Sequence, residues 1–171
     1  MTVESIPEVL IHNAEHSEWL ETVRSLFVDY AQSLKIDLSF QQFETELSSL
    51  PGEYVPPLGG LFVATLDGVA AGCCAFRPLL DVDYENACEM KRLYVPKSLR
   101  GFGLGRLLVD HTLTMARNAG YSTMLLDTLD DMQAARALYQ EAGFVEIPPY
   151  YYNPIAGARY LKVDLQEPLR T

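Results

Sequence analysis

Basic residues are scarce in this chain. Its 171 residues include 13 lysines and arginines against 23 aspartates and glutamates, for a formal net charge of −10. Binding to a nucleic-acid backbone requires clustered positive charge, so nucleic acid is excluded as a partner. Long apolar runs are also missing: none approaches the roughly 20 residues that cross a bilayer. The start, Met1-Thr2-Val3-Glu4-Ser5, lacks the basic region and apolar core of a secretory signal. The expectation is a cytoplasmic protein with no membrane partner. Cysteines number three (Cys73, Cys74 and Cys88), with no C-x-x-C pair, which fits buried thiols in a reducing compartment rather than a disulfide framework or zinc site. The histidines, His12, His16 and His111, have no metal-ligating spacing, so no metal is expected.

What is present is a globular composition, 49% hydrophobic and 21% charged, long enough for one domain spanning 1–171 with a real core. Val9-Leu10-Ile11 is the apolar centre of a first strand over 7–12. Ser17 is placed to cap a helix in which Trp19, Val23, Leu26, Phe27, Tyr30 and Leu34 recur at helical spacing. Ser39 is placed to cap a second helix carrying Phe40, Phe43, Leu47 and Leu50, stopped by Pro51-Gly52. These two helices read either as plain core packing or as a wall over a substrate site. Apolar runs 61–66 and 69–76 flank Asp67-Gly68, a hairpin signal. The acidic stretch 80–85 turns into a strand over 87–95. A helix over 103–118, a strand over 122–128, a helix over 132–142 and strands at 144–147 and 160–165 follow. Antiparallel strands, then strand–helix–strand–helix–strand, give an α+β chain around a mixed, mainly antiparallel sheet.

The segment that organises the rest is Glu89 to Val95, followed by Arg100-Gly101-Phe102-Gly103-Leu104-Gly105-Arg106. It reads as a strand, a glycine-rich turn and the start of a long helix. Glycines at alternate positions allow several N–H groups to converge at the positive end of a helix dipole, which suits a phosphate. The G-x-G-x-x-G spacing of dinucleotide folds fails, because Arg106 and Leu108 stand where its third glycine would be. The nucleotide P-loop fails for want of its Lys-Ser/Thr. What remains is R-x-x-G-x-G, from Arg100, Gly103 and Gly105.

This motif resembles the acetyl-CoA pyrophosphate loop of the GNAT superfamily of N-acetyltransferases. Leu138-Tyr139 with Gly143-Phe144 is similar to the same superfamily's L-Y-x-x-x-G-F signature. The likeness covers roughly 61–165. It implies helices on both faces of the sheet, with two parallel strands, 87–95 and 122–128, that splay to admit the pantetheine arm. Main-chain groups of Leu93, Tyr94 and Val95 would contact that arm, and the N–H groups of Arg100 to Arg106 would hold the pyrophosphate. The resemblance also implies Tyr139 as the general acid for the departing thiolate, with aromatic packing against the cofactor as its other reading. Glu89 stands where some members carry a base. Alternation in a strand would put it on one face with Leu93 and Val95, acting through water, although a pairing with Lys91, Arg92 or a loop amide is equally open. One departure is Met132, where many relatives carry a cofactor-contacting asparagine; Asp131 and Gln133 are the neighbours that could replace that contact.

The acceptor is less legible. Tyr150, Tyr151 and Tyr152, with Tyr54, could surround a cation, pack internally or form a homodimer contact. Asp127 and the 81–85 turn could attract an amine or simply be solvated. The reading that results is acetyl-CoA-dependent N-acetylation of a small-molecule primary amine. A protein or peptide acceptor, or a non-catalytic CoA-binding module, is the alternative.

Overall fold

The computed structural model describes residues 5–34 and 37–165, apart from the side chains of Ser17 and Phe40. The proposed capping side chain of Ser17 and the packing of Phe40 therefore lie outside the described residues. The chain runs β1 (Val9–Asn13), α1 (Ser17–Leu34), a 3-10 turn (Ser39–Gln41), α2 (Phe43–Ser49), β2 (Gly60–Leu66), β3 (Val69–Leu79) and β4 (Ala87–Tyr94). A second 3-10 turn (Lys97–Leu99), α3 (Leu104–Asn118), β5 (Thr123–Leu129), α4 (Gln133–Glu141), β6 (Val145–Ile147) and β7 (Ala158–Asp164) complete it. The seven strands form one sheet in the order β1-β2-β3-β4-β5-β7-β6. Every neighbouring pair is antiparallel except β4–β5. This is the mixed sheet expected, with its one parallel pair near the centre.

Alternation along the buried strands sends side chains to two cores. Phe62, Cys74, Phe76, Cys88 and Met90 pack under α3 and α4, against Leu104, Leu108, Val109 and Tyr139. Leu61, Val63, Cys73 and Ala75 face the other way, against Val23, Leu26 and Phe27 of α1 and Phe43 of α2. The three cysteines are free and buried. Asp67 and Gly68 both adopt positive φ, 49° and 82°, in the tight β2–β3 turn, the geometry that Asp-Gly favours between twisted strands. Among the described residues, no helix is long and apolar enough to cross a membrane.

Two local expectations need correction. The helix anticipated from Ser39 to Leu50 is interrupted, because Gln42 sits at φ 55° between the 3-10 turn and α2. The alternation expected from Glu89 to Val95 is broken by a bulge. Cys73 pairs with Tyr94 and Ala75 with Lys91, so Arg92 and Leu93 together oppose the single residue Cys74. Arg92 absorbs the extra residue at φ 63°. A bulge shifts the side-chain phase by one. Leu93 and Val95 turn toward the α3 core, while Tyr94 packs on the α1 side. Glu89, on the α1 side with its pairing partner Arg77, therefore does not share a face with Leu93 and Val95.

Candidate functional site

The β4–β5 ladder holds only from Ala87–Thr123 to Glu89–Leu125. Beyond it the strands part, and a cleft of about 740 Å³ opens between Leu93–Val95, the loop after β4 and the start of α4. The glycines of that loop do different work. Gly101 and Gly103 have φ of 100° and 76°, a backbone state that other residues reach only at a cost. Gly103 is also the N-cap of α3, without a side-chain capping bond. Gly105 is instead a close approach: an added Cβ would lie 2.8 Å from Leu138 Cδ1 of α4. The N–H groups of residues 101–106 find no acceptor among the described residues. Free donors converging at a helix start, with the helix dipole behind them, match the demands of a diphosphate.

The two loop arginines are not equivalent. Arg100 donates from Nε to the Val95 carbonyl at 3.0 Å, fixing the strand end, whereas Arg106 is exposed and pairs with Glu141 at 2.7 Å. Leu93, Tyr94, Val95, Arg100, Gly101, Gly103, Leu104, Gly105 and Arg106 all line the cleft. Phe102, half exposed, does not.

At the inner end of the cleft a smaller cavity of about 40 Å³ shares Tyr30, Leu34, Leu93 and Met132 with it. Tyr139 forms part of its wall, held edge-on to Phe144 at 5.6 Å between ring centres. Burial pushes the Tyr139 phenol well above its ordinary pKa, so it is protonated at neutral pH. Its hydroxyl makes no hydrogen bond to another described residue, nor is it a sealed, unsatisfied group. Met132, at the N-cap of α4, accepts a hydrogen bond at its sulfur from the Thr128 hydroxyl at 3.7 Å and lines both spaces. Asp131 and Gln133 line the cleft beside it.

The α1 side of the cavity is densely charged. Glu89 is 2% exposed and accepts hydrogen bonds from Arg77 Nε at 3.0 Å and the Tyr150 hydroxyl at 2.6 Å. Arg77 reaches on to Glu53 at 2.7 Å. Arg92, also buried, grips Glu46 of α2 through Nε and Nη2 at 2.9 and 3.1 Å, and donates from Nη1 to Gln41 Oε1 at 2.9 Å. Burial alone would raise the Glu46 carboxyl, but the Arg92 guanidinium outweighs it and holds the pKa below the usual carboxylate value. Asp127 accepts from the Tyr151 hydroxyl and from Asn153 Nδ2 at 3.0 Å, so it is not a freely solvated carboxylate. Lys91 touches Gln41 Oε1 at 3.5 Å and Glu89 Oε1 at 3.9 Å. Asp127, Lys91, Arg92, Gln41 and Asn153 line the cavity, whereas Glu89 stands behind it.

Of the readings open for the four tyrosines, internal packing describes Tyr150, Tyr151 and Tyr54. Tyr150 and Tyr151 pack on Tyr160 and turn their hydroxyls to Glu89 and Asp127. Tyr54 is buried against Phe27 and donates to Glu46 at 2.9 Å, and Tyr152 is 84% exposed. None of the four lines the cavity; its aromatic walls are Tyr30 and Tyr139.

Residues 19–144 match the Acetyltransferase (GNAT) family. The chain belongs to the GNAT acetyltransferases. It is 39% identical over 149 residues to an uncharacterised N-acetyltransferase of Schizosaccharomyces pombe, covering 86% of this chain and 90% of that protein. In fold it is similar to an acetyltransferase of the GNAT family from Staphylococcus aureus, with a TM-score of 0.74 at 19% identity over 93% of this chain and all of that one. An acetyltransferase of Salmonella typhimurium solved with its cofactor acetyl-CoA has a TM-score of 0.64 at 18% identity, over 95% and 96% of the two chains. The protein is thus an N-acetyltransferase that uses acetyl-CoA, and the free N–H groups of its loop and the splayed strands fit that co-substrate.

Sequence reasoning about this acetyltransferase missed Gln41, Glu46, Arg77 and Asn153, and weighed Lys91 and Arg92 only as pairing partners for Glu89. A signal for these two was available. Lys91 and Arg92 follow the fully buried run Ala87, Cys88, Glu89 and Met90 in β4, and buried charges require partners. The partners themselves come from distant segments and carry no local mark.

Proposed function

We propose that this GNAT enzyme acetylates a small-molecule amine at the inner end of the cleft, with Tyr139 as general acid and the carboxylates of the α1 side handling the amine's proton. The supporting observation is the small cavity roofed by Tyr30, Leu34, Leu38 and Gln41, which suits a compact amine better than a polypeptide lying in an open groove. Bound acetyl-CoA supplies an acyl thioester, already activated toward attack. An alkylamine with a pKa of about 10.4 is mostly protonated at pH 7, and removing that proton costs about 4–5 kcal/mol. A carboxylate at the cavity wall offsets part of that cost. Asp127 lines the cavity, and Glu89 lies one layer behind, clamped by Arg77. We therefore assign the amine's proton to Asp127 and give Glu89 the expected base role only at one remove, through the Tyr150 hydroxyl or water. As the amine nitrogen bonds to the thioester carbonyl carbon and the carbon–sulfur bond breaks, the Tyr139 hydroxyl delivers a proton to the leaving sulfur, and the second proton, shed by the nitrogen as it becomes an amide, restores that hydroxyl. Leu93, Tyr94, Val95 and the loop from Arg100 to Arg106 hold the co-substrate in this reading.

Calorimetric titration with acetyl-CoA and CoA tests the cofactor half. The wild type should bind saturably, and Gly103→Glu, which adds a carboxylate among the phosphate donors, should abolish binding. Thiol release across parallel panels of small amines and peptides tests the acceptor half. Turnover confined to peptides would overturn the small-molecule reading.

A further inference from the structure

The charged groups around the cavity do not pair off completely. Arg92 is closed by Glu46, and Arg77 is closed by Glu53 and Glu89. One cation and one anion at the cavity wall are left over. Lys91 has a side chain only 9% exposed, yet its ammonium, with three protons to donate, has one hydrogen bond at the outer limit of length and a carboxylate 3.9 Å away that Arg77 and Tyr150 already occupy. A buried ammonium in this state lacks acceptors. Asp127 is the mirror case: its hydrogen bonds come from neutral donors, Tyr151 and Asn153, and no cation of the described residues lies within 4.0 Å of it. The two project from neighbouring strands, β4 and β5, into the same cavity.

We propose that the acceptor is a zwitterion of the amino-acid class, its carboxylate taken by Lys91 and its ammonium by Asp127. This rests on the small-molecule reading above and narrows it. One such molecule would satisfy both unfinished groups at once. A simple monoamine leaves Lys91 without an acceptor, and a peptide N-terminus carries no α-carboxylate beside its amine. Burial, against the pull of Glu89, lowers the Lys91 pKa; a bound carboxylate would reverse that, so substrate and lysine charge each other favourably.

The test compares matched acceptors, each amino acid beside its α-amide and its decarboxylated amine, by thiol release with saturating acetyl-CoA. For the amino acid that serves best, kcat/KM should exceed that of its amide and amine by about 10- to 100-fold, the range of a charge-assisted hydrogen bond. In Lys91→Met that ratio should fall toward one, mainly through KM, and Lys91→Arg should retain part of it. Equal use of all three forms by the wild type, which needs no variant to fold, would overturn the proposal while leaving small-amine acetylation standing. A preference that survives in Lys91→Met would overturn it equally. Turnover confined to a parallel set of peptides would instead remove the small-molecule reading and this proposal with it.

Discussion

The two sides of β4 are built from different materials. On the α3 side, the donor cleft is made largely of backbone: the unpaired N–H groups of 101–106, two glycines at positive φ and the parted strand β4. On the α1 side, the acceptor cavity is made of side chains, with Arg92 buried against Glu46, Glu89 buried behind a half-buried Arg77, and Lys91 and Asp127 facing inward. The Arg92 bulge joins them, because it turns Leu93 and Val95 to one side while leaving Lys91 on the other. A backbone site recognises what every acetyl-CoA has in common. A side-chain site can be re-specified residue by residue without disturbing it.

Damage on the acceptor side should therefore cost several times more folding stability than damage on the donor side. The largest effect is expected from Glu46→Ala, which leaves Arg92, 3% exposed, without its carboxylate. Breaking a buried pair from one side costs about 3–5 kcal/mol, measured by denaturant unfolding. The acid limb should change as well. Because the Glu46 pKa is lowered on folding, its contribution is present above the ordinary carboxyl range and is lost as pH falls through the folded value. The wild type should therefore lose stability in that window, and the variant should lose less. A variant as stable as the wild type would break the contrast.

Next in size is Tyr139→Phe. Removing a general acid lowers kcat by about 10²-fold or more, while acetyl-CoA affinity in calorimetry should hold, since the ring still packs on Phe144. A loss of affinity equal to the loss of rate would make Tyr139 a packing residue and shift the chemistry elsewhere.

The contrast also explains what could be read from the chain. Arg100 to Arg106 is one continuous segment whose chemistry is set by glycine spacing, so its place after a strand and before α3 was legible without coordinates. The β2–β3 turn was legible for the same reason, since Asp67-Gly68 encodes its own φ angles. The acceptor side draws on Gln41, Glu46, Arg77, Lys91, Asp127 and Asn153, which meet only when the sheet and α1–α2 close around them. Period-two reasoning along β4 failed at one residue, Arg92, and that single bulge reversed the face assigned to Glu89 relative to Leu93. No local propensity marks an arginine for positive φ. The compensation lies in its ion pair with Glu46, far away in sequence.

A smaller effect is expected on the donor side from Gly103→Ala. A Cβ there meets nothing within 4 Å, so only the backbone state at φ 76° is strained. That costs about 1 kcal/mol, or a fall of about 2–4 °C in Tm for a domain of this size. Acetyl-CoA affinity should fall only a few-fold, because the N–H groups remain. An affinity loss far beyond this would mean that the loop tolerates no relaxation at all.

The smallest effect is expected at Met132. It occupies the N-cap of α4 without a side-chain cap, at φ −85° and ψ 61°, and its sulfur makes only the long contact with Thr128. Asparagine at that position could cap the free N–H groups of α4, accept the same hydroxyl and face the donor cleft with an amide. Caps of this kind contribute about 1 kcal/mol, and the off-typical ψ should hold the gain below that. Met132→Asn should therefore raise Tm by a degree or two and tighten acetyl-CoA by a few-fold in calorimetry, with the acceptor preference unchanged. Were the acceptor preference to move instead, Met132 would belong to the inner cavity more than to the cleft, and the boundary between the two sites would lie at α4 rather than along β4.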